Sequence, residues 1–261
     1  MNRILLAAVA AVVATPALAA SGFDGTWKYD IKSMNMSKTP SVTLLTGGSY
    51  TCSTCTPTYT VKADGAFHKV AGNPYYDEVS VKVVDAKSIM WASRKGGKAA
   101  SENTRTVSAD GKTLTTAFTD MTAENGVAIK GTTVQDRVAA VPKGAHAVSG
   151  SWVDTTNSEV TESALLVTMK MTGKAMKLTT PTGISYTATV DGPQAPVKGD
   201  AGWTSVALKS GGKNSLVETD YRAGKAIGVY TYTLAADGKT IKADADDLLS
   251  KKKSSATIIK Q

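Results

Sequence analysis

The chain is poor in the residues from which most metal and redox centres are built. Two cysteines, Cys52 and Cys55, and two histidines, His68 and His146, are all that its 261 residues contain. That excludes a disulfide-stapled miniprotein and a four-cysteine metal knot, and leaves little room for a histidine-rich centre. Aromatic residues make up only 6%. No apolar run beyond the N-terminal segment is long enough for a membrane-spanning helix, which needs roughly 18 residues or more. No hydrolase elbow, phosphate loop or HExxH helix is present. The carboxylates sit mostly in turns such as Asp110-Gly111, and nothing selects a glycosidase-type pair among them. No catalytic residue, metal or cofactor is expected.

What the chain does have is charge of one sign and threonine. The formal net charge is +8, and Arg3 is the only charge in the first 20 residues, so +7 remains beyond them. The excess is mostly lysine, scattered singly on Thr/Ser-rich segments, the pattern of a solvated face with protected sheet edges. A nucleic-acid groove would cluster arginine and aromatics, so nucleic acid is not an expected partner. Weak association with an anionic envelope surface is compatible with this charge. Thirty-five threonines favour strands.

Residues 1–20 read as a signal peptide. Met1-Asn2-Arg3 is a cationic start, residues 4–15 are apolar, Pro16 breaks the run, and Ala17-Leu18-Ala19 fits a small-x-small cleavage site. The expected destination is periplasmic or secreted.

The strongest signal is an internal duplication. Gly25-Thr26-Trp27 returns as Gly150-Ser151-Trp152. Tyr59 to Gly65 returns from Tyr186 to Gly192, and Ala109 to Leu114 returns from Ala236 to Ile241, both at an offset of 127. Fixed-offset turn motifs mark a repeat. The expected units are residues 21–140 and 147–261, joined by a linker at 141–146. Within each unit, Asp-Gly turn signals recur and Val79, Val81 and Val83 alternate with polar residues, as in a half-buried strand. The expected fold is all-β, two tandem antiparallel β-barrels, with short helices only around 33–38 and 159–164.

Each copy opens with Gly-x-Trp and closes with a cation, Arg137 in the first and Lys260 in the second. The offset there is 123, so the last hairpin of the second copy is four residues shorter. A cation on the last strand can lie over the indole of the first and close the barrel end. This arrangement resembles the calycins, the superfamily of lipocalins and fatty-acid-binding proteins, and residues 23–28, Phe-Asp-Gly-Thr-Trp-Lys, look like the opening of the fatty-acid-binding branch. The resemblance implies up-and-down barrels with an internal apolar ligand cavity. Trp27, Arg137, Trp152 and Lys260 are read as structural plugs.

Positions that differ between the copies are the functional candidates. Trp91, Arg94 and Arg105 stand where the second copy has Glu218, Tyr221 and Tyr232. With Tyr50, Tyr59, Tyr75 and Tyr76 they form a set suited to an amphipathic or anionic ligand, the aromatics for its body and an arginine for a carboxylate. Cys52 and Cys55 in an exported chain read as a local disulfide; a redox pair and a zinc site with His68 are the alternatives. The leading functional expectation is a non-catalytic binding protein for a small amphipathic or hydrophobic ligand. The alternatives are a structural or interaction module of the envelope with filled barrels, and an enzyme of unknown reaction.

Overall fold

The structure, a computed structural model, describes residues 20–155 and 158–261. The expected signal peptide lies outside these, apart from Ala20. The fold is all-β, with two barrel-shaped antiparallel sheets. Among the described residues no helix is long and apolar enough to cross a membrane.

In chain order the strands of the first half are β1 (Gly25–Asn35), β2 (Ser41–Thr46), β3 (Ser49–Cys52), β4 (Tyr59–Lys62), β5 (Asp64–Lys69), β6 (Glu78–Val83), β7 (Ser88–Lys95), β8 (Lys98–Val107), β9 (Thr113–Asp120) and β10 (Ile129–Arg137). Then come β11 (Gly150–Asp154), β12 (Glu159–Val160), β13 (Leu166–Thr172), β14 (Ala175–Thr179), β15 (Ser185–Thr189), β16 (Ala195–Lys198), β17 (Ser205–Ser210), β18 (Ser215–Arg222), β19 (Lys225–Leu234), β20 (Thr240–Asp247) and β21 (Lys252–Lys260). Residues 33–35, expected as part of a helix, continue strand β1 instead. Around 159–164 only a three-residue 3-10 turn, Glu162–Ala164, follows the short strand β12.

The duplication is visible in the ladders. A register shift between Ser93 and Arg94 opposite β8 recurs between Asp220 and Tyr221 opposite β19, at the same offset of 127. The β2–β3 hairpin turns at Gly47-Gly48 and the β13–β14 hairpin at Gly173-Lys174, which shifts the offset there to 126. Cys52 therefore occupies the place of Leu178.

The two sheets do not divide where the sequence repeats divide. β1 pairs with β13 and β21 and closes the barrel built from the second copy. β11 pairs with β10 and β2 and completes the sheet of the first copy. Each Gly-x-Trp strand thus serves the other copy, in place of the expected closure of each copy on its own first strand. The first sheet is contiguous from β2 through β12, and it is inserted between β1 and β13. Residues 141–146, expected as an inter-barrel linker, instead connect β10 to β11 inside one sheet. His146 is held there, its Nε2 2.6 Å from the Asp85 carbonyl oxygen.

The exchanged strands carry the cation–indole plugs. Trp27 and Trp152 are buried, and each indole N–H donates to a backbone carbonyl four residues earlier, that of Phe23 at 2.8 Å and that of Val148 at 3.0 Å. The Arg137 guanidinium stacks 3.9 Å from the Trp152 ring centroid, and Lys260 Nζ lies 5.2 Å from that of Trp27. Arg137 also donates to the carbonyls of Gly111, Ser149 and Ala147 at 2.6, 2.7 and 2.7 Å. The glycine of Gly-x-Trp follows from this packing. Gly25 and Gly150 have φ of 137° and 124°, and a Cβ there would lie 2.8 Å from Lys260 Cε and 2.7 Å from Arg137 Nη1. Only glycine lets the cation cross the strand to reach the ring.

The second barrel is fully closed by β15 pairing with β16. The first sheet ends on β4 and β5, which are joined in the chain without a ladder between them. The loop carrying Cys52 and Cys55 fills part of that seam: Pro57 packs on Gly72, where a Cβ would lie 3.2 Å from its ring, and Asn73 Nδ2 donates to the Thr56 carbonyl at 3.3 Å.

The exchange predicts how the chain can be cut. A fragment of residues 41–160 contains the whole first sheet and is expected to unfold cooperatively with a near-ultraviolet Trp152 signal. A fragment of residues 22–139 lacks β11 and carries β1 without partners, and is expected to show no cooperative transition in thermal melts by circular dichroism. Equal cooperativity of the two fragments contradicts the exchange. Trp27→Ala is expected to destabilise the second barrel, and Trp152→Ala the first, each by about 3–5 kcal/mol. Hydrogen exchange resolved by segment checks which strands lose protection.

Candidate functional site

The interior of the first barrel is built by alternation. On β7, Ile89, Trp91 and Ser93 share one face, and on β8, Asn103, Arg105 and Val107 do the same. The closed end is apolar and buried around Trp152, with Leu45, Val79, Val81, Ile89, Val107 and Leu114. Toward the other end the inward residues become polar and aromatic.

There the structure brings together five of the seven candidates. Arg105 Nη1 donates to the Tyr50 hydroxyl at 2.9 Å, and Trp91 Nε1 to the Tyr59 hydroxyl at 2.9 Å. The rings run in sequence, Tyr50–Tyr59 at 6.4 Å, Tyr59–Tyr76 at 6.5 Å and Tyr76–Trp91 at 5.8 Å, the last two edge-to-face. Together with Asn103 and Thr43 they line a cavity of about 320 Å³. Arg105 is its one charged lining residue, and among the described residues no carboxylate pairs with it. Asn103 Oδ1 is buried without a hydrogen-bond partner. Burial pushes the phenols of Tyr59 and Tyr76 up, so both remain protonated donors at neutral pH.

Cys52 and Cys55 form a disulfide with Cα atoms 5.5 Å apart. It stands in the cavity wall at the open end. His68 is elsewhere, on β5, with Nε2 2.8 Å from Asp64 Oδ1. Among the described residues no three His, Cys, Asp or Glu side chains group as metal ligands.

Two candidates are not in this cavity. Arg94 faces outward, where its Nε lies 2.5 Å from Glu78 Oε2 and its guanidinium 4.2 Å from the exposed Phe67 ring. Alternation along β7 sets it there, because Trp91 and Ser93 face inward and Arg94 is an odd number of residues from both. Tyr75 reaches the second barrel, donating to Asp200 Oδ1 at 2.9 Å.

The equivalent region of the second barrel is filled differently. Tyr186, Trp203, Glu218 and Tyr232 replace Tyr59, Tyr76, Trp91 and Arg105. Tyr186, Glu218 and Tyr232 are buried, and Tyr29 of the exchanged β1 packs against this core. Glu218 accepts a hydrogen bond from Tyr186. Asp220, two residues on and inward, is buried with Oδ1 unpartnered. Desolvation raises the pKa of both carboxyls, and each is held closer to its neutral form. Sequence reasoning passed over this pair. The signal was available in the alternation of Leu216, Glu218 and Asp220, which a strand must place on one face.

No protein-family model matches the chain, and no curated protein matches it. The arrangement itself therefore carries the functional reading.

The acid pair sets a pH dependence. In the folded protein Glu218 and Asp220 keep protons that the unfolded chain releases around its ordinary values of 4.5 and 3.8. The unfolded state then binds fewer protons, so stability falls as pH rises above those values and levels off only above the raised ones. The melting temperature is expected to decline from about pH 4 toward neutral and beyond, with a flatter profile in Glu218→Gln/Asp220→Asn. A wild-type profile that rises over this range contradicts the burial of protonated acids.

Proposed function

We propose that the protein is exported and acts as a non-catalytic binding protein for a small amphipathic anion, held in the first barrel. The observation that carries this reading is Arg105: a cation without an acidic partner, in a cavity walled by Tyr50, Tyr59, Tyr76 and Trp91. A carboxylate can take the guanidinium while an apolar body lies along the rings. The N-terminal leader and the disulfide support an extracytoplasmic setting. The two-barrel fold and the Gly-x-Trp plugs support kinship with the calycins, although the ten strands of the second barrel exceed the eight of a lipocalin barrel. The buried, packed interior of the second barrel suits a structural partner that holds the first through the exchanged strands.

Titration of the whole chain with a fluorescent medium-chain fatty-acid analogue is expected to saturate at one site. Arg105→Ala removes a charge-assisted bond of roughly 1.5–3 kcal/mol and is expected to weaken binding about 10- to 150-fold. Arg94→Ala, on the outer face, is expected to leave the affinity within about twofold of wild type. Binding that Arg105→Ala leaves intact, or absence of binding by folded protein, contradicts this reading.

A further inference from the structure

A second cavity, of about 380 Å³, lies where the two barrels meet. The first barrel contributes Tyr75, Tyr76 and Trp91, Ser93 near the end of β7 and Asp120 at the end of β9; the second contributes loop residues including Asp200. Two hydrogen bonds bridge the barrels beside it, Tyr75 to Asp200 and Asn125 Nδ2 to the Pro181 carbonyl at 2.9 Å. Tyr76 and Trp91 also wall the Arg105 cavity, so the two chambers share an aromatic partition.

Their charges are opposite. Arg105 is the one charged lining residue of the first chamber, whereas Asp120 and Asp200 are the charged lining residues of the second, with no lysine or arginine among them. Each aspartate spends Oδ1 on its own loop. Asp120 Oδ1 accepts from Thr122 N at 2.8 Å, and Asp200 Oδ1 accepts from Gly202 N and Trp203 N at 2.7 and 2.8 Å. Among the described residues neither Oδ2 has a partner. Arg222, the nearby cation, donates to the Gly202 carbonyl at 2.6 Å.

An independent observation points to an occupant. Ser93 is 2% exposed, and its Oγ has no hydrogen-bond partner although it lines this cavity. A buried hydroxyl left unpaired is costly unless something in the site meets it. We infer that the junction cavity binds a small organic ammonium ion, with Asp120 and Asp200 neutralising the charge, Ser93 Oγ accepting an N–H, and Tyr75, Tyr76 and Trp91 packing on its body. Aromatic faces attract such a cation, and adjacent carboxylates add a charge-assisted bond. The cavity lies within the size range of small-molecule sites.

The test uses the whole chain, calorimetric titration and 2-phenylethylamine, with 2-phenylethanol as the uncharged counterpart. The amine is expected to bind one site at neutral pH, at least tenfold more tightly than the alcohol, by roughly the difference a charged partner makes. Asp120→Asn and Asp200→Asn, which keep the loop acceptors, are each expected to weaken the amine about tenfold, and Ser93→Ala a few-fold, with melting temperatures near wild type. Equal binding of amine and alcohol, no binding of the amine, or undiminished affinity in Asp120→Asn/Asp200→Asn overturns the inference. The fatty-acid analogue is titrated in parallel. Binding of the analogue without the amine sinks this inference and leaves the proposed function standing; the reverse sinks the proposed function alone.

Discussion

A cation laid across a glycine onto a buried indole is the contact around which this molecule is organised. At Gly25-Trp27 the cation is Lys260, and at Gly150-Trp152 it is Arg137. The arrangement pins two neighbouring strands, β1 to β21 in the second barrel and β11 to β10 in the first, and seals the barrel end. It also fixes three residue types at once, since the ring, the charge and the missing Cβ depend on one another. Arg137 makes the closer and more hydrogen-bonded of the two plugs. Its planar guanidinium stacks on the ring while its N–H groups satisfy three backbone carbonyls, which an ammonium group cannot match in geometry.

Because each Trp strand closes the other copy's sheet, each plug joins one copy to the other within a single barrel. From the N-terminal side of the first sheet, β1 and the short 3-10 turn before it, whose Phe23 is buried in that core, join the second barrel. The first sheet is an insertion into a barrel that begins before it and ends after it. The junction itself is lined from both barrels, and the Tyr75–Asp200 contact spans it beside the cavity.

Duplication supplied two equivalent interiors, and they diverged in polarity. In the first barrel Trp91 and Arg105 leave an aromatic chamber with an unopposed positive charge. In the second, Glu218 and Tyr232 at the matching positions join Tyr29, Tyr186 and Tyr230 in a buried hydroxyl–carboxyl cluster. Burial there favours the neutral carboxyls, and packed side chains stand where the first barrel has its chamber.

The sequence alone determined the all-β class, the duplication, the plug residues, the disulfide pair and most of the aromatic wall. These are local or periodic properties: Asp-Gly turns, alternation along strands, Cys residues three apart, and a repeat that compares each position with its equivalent. The outward face of Arg94 was legible too, because residues three apart on one strand, as Trp91 and Arg94 are, face opposite sides. Tyr75 was assigned to the wrong chamber because its partner, Asp200, lies 125 residues away. Which Trp strand closes which barrel is set by contacts that exist only in the folded chain. The two strands carry nearly the same motif, Gly25-Thr26-Trp27 and Gly150-Ser151-Trp152. What selects between them is the course of the connecting chain and the packing of one particular cation over one particular ring, and both arise only when the barrels close together.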